Sequence, residues 1–310
     1  MDENIKLDFS NNNIDLNIPT ISISQVLDSL EVPFDKEGVA QKTHEKHFDN
    51  PNSEYYHKTV EEIINMWENK GAESCRYGSL LDDYIGTILT GNDNDLRLYK
   101  LDNSYDYDER LHSLCDSFDH FYSLVMKSGD MVFVDREKTI YYKIQVKNPL
   151  NENETLEYYV KGRFDALFYN KRTHKWIIID WKSSGSIDKV PTKYTGKFLG
   201  PMFRYPSLNW YRYTNQLHFY KLSLIENYLP AGTKEEDIVV MIVNLPGKIV
   251  QESGQDYMTH LAGMEYNPQL LKDIFTFAII KKLLQNNSKH KEELKENIIE
   301  EQSDNIENIF

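Results

Sequence analysis

Two aspartates and a lysine stand out in the stretch GRFDALFYNKRTHKWIIIDWKSS, residues 162–184. Asp165 opens one apolar run, Asp180 closes the next, the polar turn NKRTHK separates the runs, and Lys182 follows Asp180 by two positions. Side chains alternate along a strand, so Asp180 and Lys182 share a face. If the runs fold back about the midpoint of the turn, residues whose numbers sum to 345 oppose each other. Asp165 then faces Asp180, with Cβ atoms about 4.5–5.5 Å apart. Facing carboxylates repel and weaken a strand pair, so the spacing makes sense when a cation sits between them. Mg²⁺ takes carboxylate oxygens, keeps several waters and bridges to phosphate oxygens. Lys182 beside it would orient an attacking water or stabilise charge developing on phosphate. That chemistry is metal-assisted hydrolysis of a phosphodiester. D-x-K alone also occurs on any solvated sheet face. Here Trp176–Ile179 leads straight into it, which puts the charges at the end of a buried strand, where sites in α/β sheets gather.

The elements that must position these residues follow from periodicity. Ser22 or Ser24 can cap a helix through Leu30, which Pro33 ends. Residues 57–70 have Val60, Ile63, Ile64 and Trp67 at helical spacing, and Gly71 is expected to stop that helix. A second helix is expected over about 79–89, a polar surface excursion over 92–109, and a further helix over 110–127. Met131–Val134, Thr139–Val146, Glu157–Phe168 and Lys175–Lys182 read as strands, residues 214–228 as a helix, Ile238–Leu245 as a buried strand, and 267–285 as a helix. Residues 1–19 read as a loose polar lead-in, 20–285 as one domain with a helical part over about 57–127 and a sheet core over about 131–245, and the charged tail 286–310 as an exposed helix or disorder. The class is α/β with a mixed sheet.

Strand, Asp, turn, apolar strand and D-x-K in this order resemble the core signature of the PD-(D/E)XK nucleases. The closest likeness is to the RecB-type exonucleases, the branch that includes mitochondrial genome-maintenance and phage-encoded enzymes. Gly162–Asp165 matches their G-x-x-D, IIIDWKSS is similar to I-D-W-K-T-S, and Gln216 and Tyr220 match their Q-x-x-x-Y helix. Ser22–Leu27 resembles their S-x-T-x-x-L segment, so the likeness covers about residues 20–245. It implies a restriction-endonuclease-like core, a mixed β-sheet flanked by helices. It also implies Mg²⁺ or Mn²⁺ on Asp165, Asp180 and the backbone carbonyl of Trp181, with Lys182 serving the nucleophilic water. Gln216 and Tyr220, at i and i+4 on one helix face, would border the site and touch the DNA backbone or the lysine. That branch usually has a histidine four residues after an early glycine. Here Gly78 is followed at that spacing by Asp82, so either Asp82 replaces the ligand or the alignment differs there. Glu137 is a further acidic candidate, read as a surface residue. Relatives with an iron–sulfur cluster use four cysteines; Cys75 and Cys115 cannot supply them, so no cluster is expected.

Net charge is −14, which by itself disfavours nucleic acid. Yet residues 161–221 hold twelve Lys and Arg against three acids, a local basic surface able to meet phosphates. Within it, KYTGKFLGPMFRYPSLNWYRY (193–213) interleaves cations with rings, Tyr194 among them. Arg163, Lys193, Lys197, Arg204, Trp210 and Arg212 are candidates for nucleic-acid contact, rings stacking on unpaired bases and cations tracking the backbone. At least half of those rings are expected to be ordinary packing. The histidines form no HxH or HExxH pair and there is no P-loop, which argues against zinc and ATP chemistry. No signal peptide or membrane span is apparent, two cysteines suit a reducing intracellular compartment, and heavy use of Asn, Lys, Ile and Tyr fits an AT-rich genome such as a viral one. The expectation is a DNA exonuclease acting on single-stranded ends. A structure-specific endonuclease and a non-catalytic DNA-binding or assembly protein that keeps the fold are the alternatives.

Overall fold

A computed structural model describes residues 5–10, 14–91, 93–102, 108–184, 187–193, 195–247, 258–261 and 263–307; Tyr194 lies outside them. In chain order the elements are β1 (Thr20–Ser22), α1 (Ile23–Ser29), α2 (Lys36–His47), α3 (Val60–Thr90), α4 (Asp93–Asp102), α5 (Glu109–Met126), β2 (Met131–Arg136), β3 (Thr139–Lys147), β4 (Thr155–Arg163), β5 (Ala166–Asn170), β6 (Lys175–Lys182), α6 (Asn209–Asn227), β7 (Ile238–Asn244), β8 (Met258–Leu261) and α7 (Pro268–Glu307). The strands form two mixed sheets, β1-β4-β3 and β2-β5-β6-β7-β8.

The two faces of the larger sheet bury different rows. Leu167, Trp176, Ile178, Ile238, Val240 and Ile242 pack with α1, α6 and α7; Ala166, Phe168, Ile179, Trp181 and Val243 pack with α3 and α5. This is the period-2 alternation read from the sequence, with both faces covered. β5 and β6 pair antiparallel from Ala166↔Ile179 to Asn170↔Lys175, every pair summing to 345, as the turn predicts. β6 and β7 run parallel, with Asp180 beside Ile242 and Lys182 beside Asn244.

Several expectations need correction. The strand expected over Glu157–Phe168 is two strands, one in each sheet, and the chain crosses between sheets at Phe164–Asp165. Gly71 does not stop a helix: α3 runs unbroken for 31 residues, fixed by a Thr59–Glu62 capping box and a left-handed Gly91. An internal glycine costs about 1 kcal/mol, which the buried Tyr77, Leu81, Tyr84 and Ile85 outweigh. The polar excursion contains helix α4, and α6 begins at Asn209 rather than at 214, so that Trp210–Tyr213 lie on it. The lead-in is not loose where it is described. Ile5, Leu7 and Phe9 pack against the core, and Phe9 stacks on Tyr228 at 5.4 Å. The tail continues α7 to Glu307, and β1, α2 and β8 had no expectation attached. Among the described residues no helix is long and apolar enough to cross a membrane.

Candidate active site

Position in the sheet selects the site. Asp180 and Lys182 continue the row of Trp176 and Ile178 that faces α6, where further apolar residues would simply extend the core. Asp180 is wholly buried. Asp165 sits on the bend between the sheets, one step beyond Ala166↔Ile179, which places it opposite Asp180. Its carboxylate accepts the Trp181 amide N–H at 2.8 Å.

Helix α6 closes the face with Tyr213, Gln216 and Tyr220, one helical stripe. Gln216 Nε2 donates to Tyr220 Oη at 2.6 Å and reaches Asp180 Oδ1 at 3.5 Å, while Tyr220 Oη donates to the Arg163 carbonyl at 2.7 Å. Lys182 Nζ forms an ion pair with Asp180 Oδ2 at 2.5 Å. The same amine stands 4.6 Å above the centre of the Tyr213 ring.

Electrostatics follow from this crowding. Burial, and then the neighbouring Asp180, push the Asp165 carboxyl up to about 8 against the opposing pull of Lys182. Burial works against the Lys182 cation, but Asp180 and Asp165 outweigh it and its pKa ends above the ordinary lysine value. Burial raises the Tyr220 phenol well above its usual range. The site in the protein alone is a charged ammonium facing two carboxyls of which one resists ionisation.

The structure therefore brings together Asp165, Asp180, Lys182, Gln216 and Tyr220. The backbone of Trp181 takes part through its amide N–H, and its indole packs on the opposite face against Phe118 and Phe121. Asp82 is differently engaged. The Arg136 guanidinium donates to its side chain at 3.0 Å and to its carbonyl at 3.1 Å. Burial nonetheless raises its pKa. Arg136 lies along α3 where Gly86 has no side chain to obstruct it. Glu137, read as a surface residue, is half-buried with a φ of 49° and pairs with Arg163 at 3.2 Å and Arg136 at 3.5 Å. Its amide donates to the Asp165 carbonyl. Among the described residues no three His, Cys, Asp or Glu side chains form a ready metal-binding group.

The nucleic-acid candidates divide. Lys193, Lys197 and Arg204 are exposed on the segment leading into α6, with Arg204 over the exposed Phe203 ring. Arg163 is exposed beside Glu137. Trp210 is half-buried under the Lys189 amine, with Gly263 against its indole. Arg212 turns away to α1, pairing with Asp28 at 2.6 Å and the adjoining Glu31 at 3.1 Å. Tyr213 was not singled out as a site residue; its spacing of three and seven from Gln216 and Tyr220 was the available signal. Glu137 was marked only as an acidic candidate on the surface, and nothing in the sequence marked Arg136; their pairing arises where β2 ends and the chain turns toward β3.

No family model and no curated protein matches the chain.

Proposed function

We propose that this protein is a metal-dependent deoxyribonuclease of the PD-(D/E)XK type, with Asp165, Asp180 and Lys182 at its centre. One observation carries the reading: two carboxyls oppose each other at the end of a buried strand pair, with a lysine ammonium on the same face. One ammonium does not balance two facing carboxyls, as the raised pKa of Asp165 beside Lys182 shows, so a second cation between them would relieve the repulsion.

The residues present fit Mg²⁺ or Mn²⁺. The chain offers carboxylate oxygens from two side chains and leaves further positions to water and phosphate, as Mg²⁺ prefers. Bound between Asp165 and Asp180, such an ion would supply a polarised phosphate and a water of lowered pKa. The chain's own groups do the rest. Gln216 holds Asp180 and is itself fixed by Tyr220, whose hydroxyl is anchored on the Arg163 carbonyl. Lys182 is held as a cation between Asp180 and the Tyr213 face. A cationic lysine stabilises charge on the phosphate oxygens or orients the attacking water; it does not accept the water's proton. The exposed Lys193, Lys197, Arg204 and Phe203 offer cations and a ring to an unpaired strand, which supports a single-stranded end as ligand; the exonuclease mode rests on the resemblance to the RecB-type enzymes.

The test is digestion of 5′- and 3′-labelled single- and double-stranded DNA with Mg²⁺, Mn²⁺ or EDTA, comparing wild type with Lys182→Ala. A ladder from one end, absent in EDTA and in the variant, is expected. If both proteins are inert yet bind DNA, a non-catalytic binding protein is the better reading.

A further inference from the structure

The end of strand β7 carries an anomaly of its own. Ile238, Val240 and Ile242 form its buried row toward α6, and the next residue in that row is Asn244. Asn244 is wholly buried and stands beside Lys182 in the parallel register. Its Oδ1 accepts from Ser184 Oγ at 3.4 Å, but its Nδ2 has no hydrogen-bond partner. A buried amide left unpaired opposes folding, and valine or isoleucine there would continue the strand without that cost. Side by side on one face, β5, β6 and β7 therefore present Asp165, then Asp180 and Lys182, then Asn244.

The chemistry of the missing partner can be stated. Nδ2 carries only donor hydrogens, so the partner is an acceptor. The adjacent lysine ammonium favours an anionic one. In the register Lys182 is the charged residue directly beside Asn244, Asp180 stands two residues back along β6, and Asp165 lies across β6 from β7. A phosphoryl oxygen satisfies both conditions.

We infer that Asn244, steadied by Ser184, forms a phosphoryl-oxygen subsite beside Lys182 that holds the DNA strand at the reacting centre. This rests on the nuclease reading. Asn244 acts by binding, through a neutral donor, and Ser184 is a positioning residue that orients the amide.

The experiment is fluorescence anisotropy of a labelled single-stranded oligonucleotide in EDTA over a salt series, with KM and kcat measured in Mg²⁺ and thermal melts to establish folding. Asn244→Asp keeps the shape and the acceptor for Ser184 but exchanges the donor for a carboxylate oxygen; Asn244→Ala removes donor and acceptor alike. For Asn244→Ala, Kd and KM are expected to rise about tenfold. The slope of log Kd against log salt should not change, because a neutral amide releases no counterion. Asn244→Asp should bind more weakly still, since it sets a carboxylate against the phosphate. A folded Asn244 variant with Kd and KM at wild-type values overturns the subsite while leaving the nuclease reading intact. Wild type that neither binds nor cuts DNA overturns both. Should neither Asn244 variant fold, Ser184→Ala decides: about threefold weaker binding supports the subsite, and unchanged binding overturns it.

Discussion

A Cβ on Gly162 would fall 2.9 Å from the Tyr220 ring and 2.6 Å from the Phe219 ring. The bare backbone of β4 at this point is what lets α6 lie close enough for Tyr220 to reach the Arg163 carbonyl and for Gln216 to reach Asp180. Gly162→Ala must push two buried rings outward, at a cost of about 1–3 kcal/mol, read as a lower urea midpoint. Because α6 moves with its rings, phosphodiester turnover should fall further than the loss of folded protein explains. Turnover that simply tracks the folded fraction would show that the Gln216–Tyr220 pair does not set the geometry of Asp180.

If the proposed cation sits between Asp165 and Asp180, its binding is linked to pH through Asp165. Its carboxyl is raised to about 8, by burial first and Asp180 second. A raised carboxyl stabilises the metal-free fold fully below its ordinary value near 3.8 and loses that contribution as pH rises through about 8. A divalent cation competes with the same proton. Its apparent affinity should therefore increase by up to about tenfold per pH unit toward pH 8 and level off above it. Melting temperatures at pH 6, 7, 8 and 9, with and without Mg²⁺, measure this. Asp165→Asn should show little rise at any pH. An equal rise at every pH in both proteins would place the bound cation elsewhere.

The register of Asp165 against Asp180 was legible because the side-chain period is two and the turn is symmetric; nothing distant enters that inference. Lys175–Lys182 was legible for the same reason. The sheet change at Phe164–Asp165 was not, since GRFDALF reads as continuous strand and only the partners of each half, β3 with β1 and β2 with β6, separate them. Gly71 misled because local propensity is a weak term against the packed face of α3. Arg212 misled because its partners Asp28 and Glu31 lie far away in sequence. Asp82 and Arg136 meet across 54 positions, so spacing could place a carboxylate near the site but could not show a guanidinium holding it.

His218 supplies an acid-sensitive element away from the carboxylates. It is buried on α6, edge-on to Tyr266 with ring centroids 5.3 Å apart. Burial, and secondarily the Lys221 cation, lower its pKa from 6.5 to about 4. The neutral ring is the form that fits the fold. Its contribution to stability is present above pH 6.5 and is lost as pH falls through about 4, a change on the order of 3 kcal/mol. His218→Phe keeps a ring against Tyr266 and cannot titrate. The difference in unfolding free energy between the two proteins, followed from pH 7 to pH 4, should move by that amount in favour of the variant. A flat difference would mean that His218 is protonated in the fold at no cost.

The basic segment makes a final division testable. Arg212 is committed to Asp28 and Glu31, and both contacts join α6 to the end of α1. Removing it should cost folding about 1 kcal/mol and leave the salt dependence of DNA binding unchanged. Lys197 and Arg204 are exposed on the segment before α6. If each neutralises one phosphate, Lys197→Ala and Arg204→Ala should each reduce the slope of log K against log salt by about 0.7 on a single strand. Their melting temperatures should stay close to wild type. Anisotropy titrations at several salt concentrations separate the two groups. A reduced slope for Arg212→Ala, with unchanged slopes for the other two, would move the DNA track from this segment to the junction of α1 and α6.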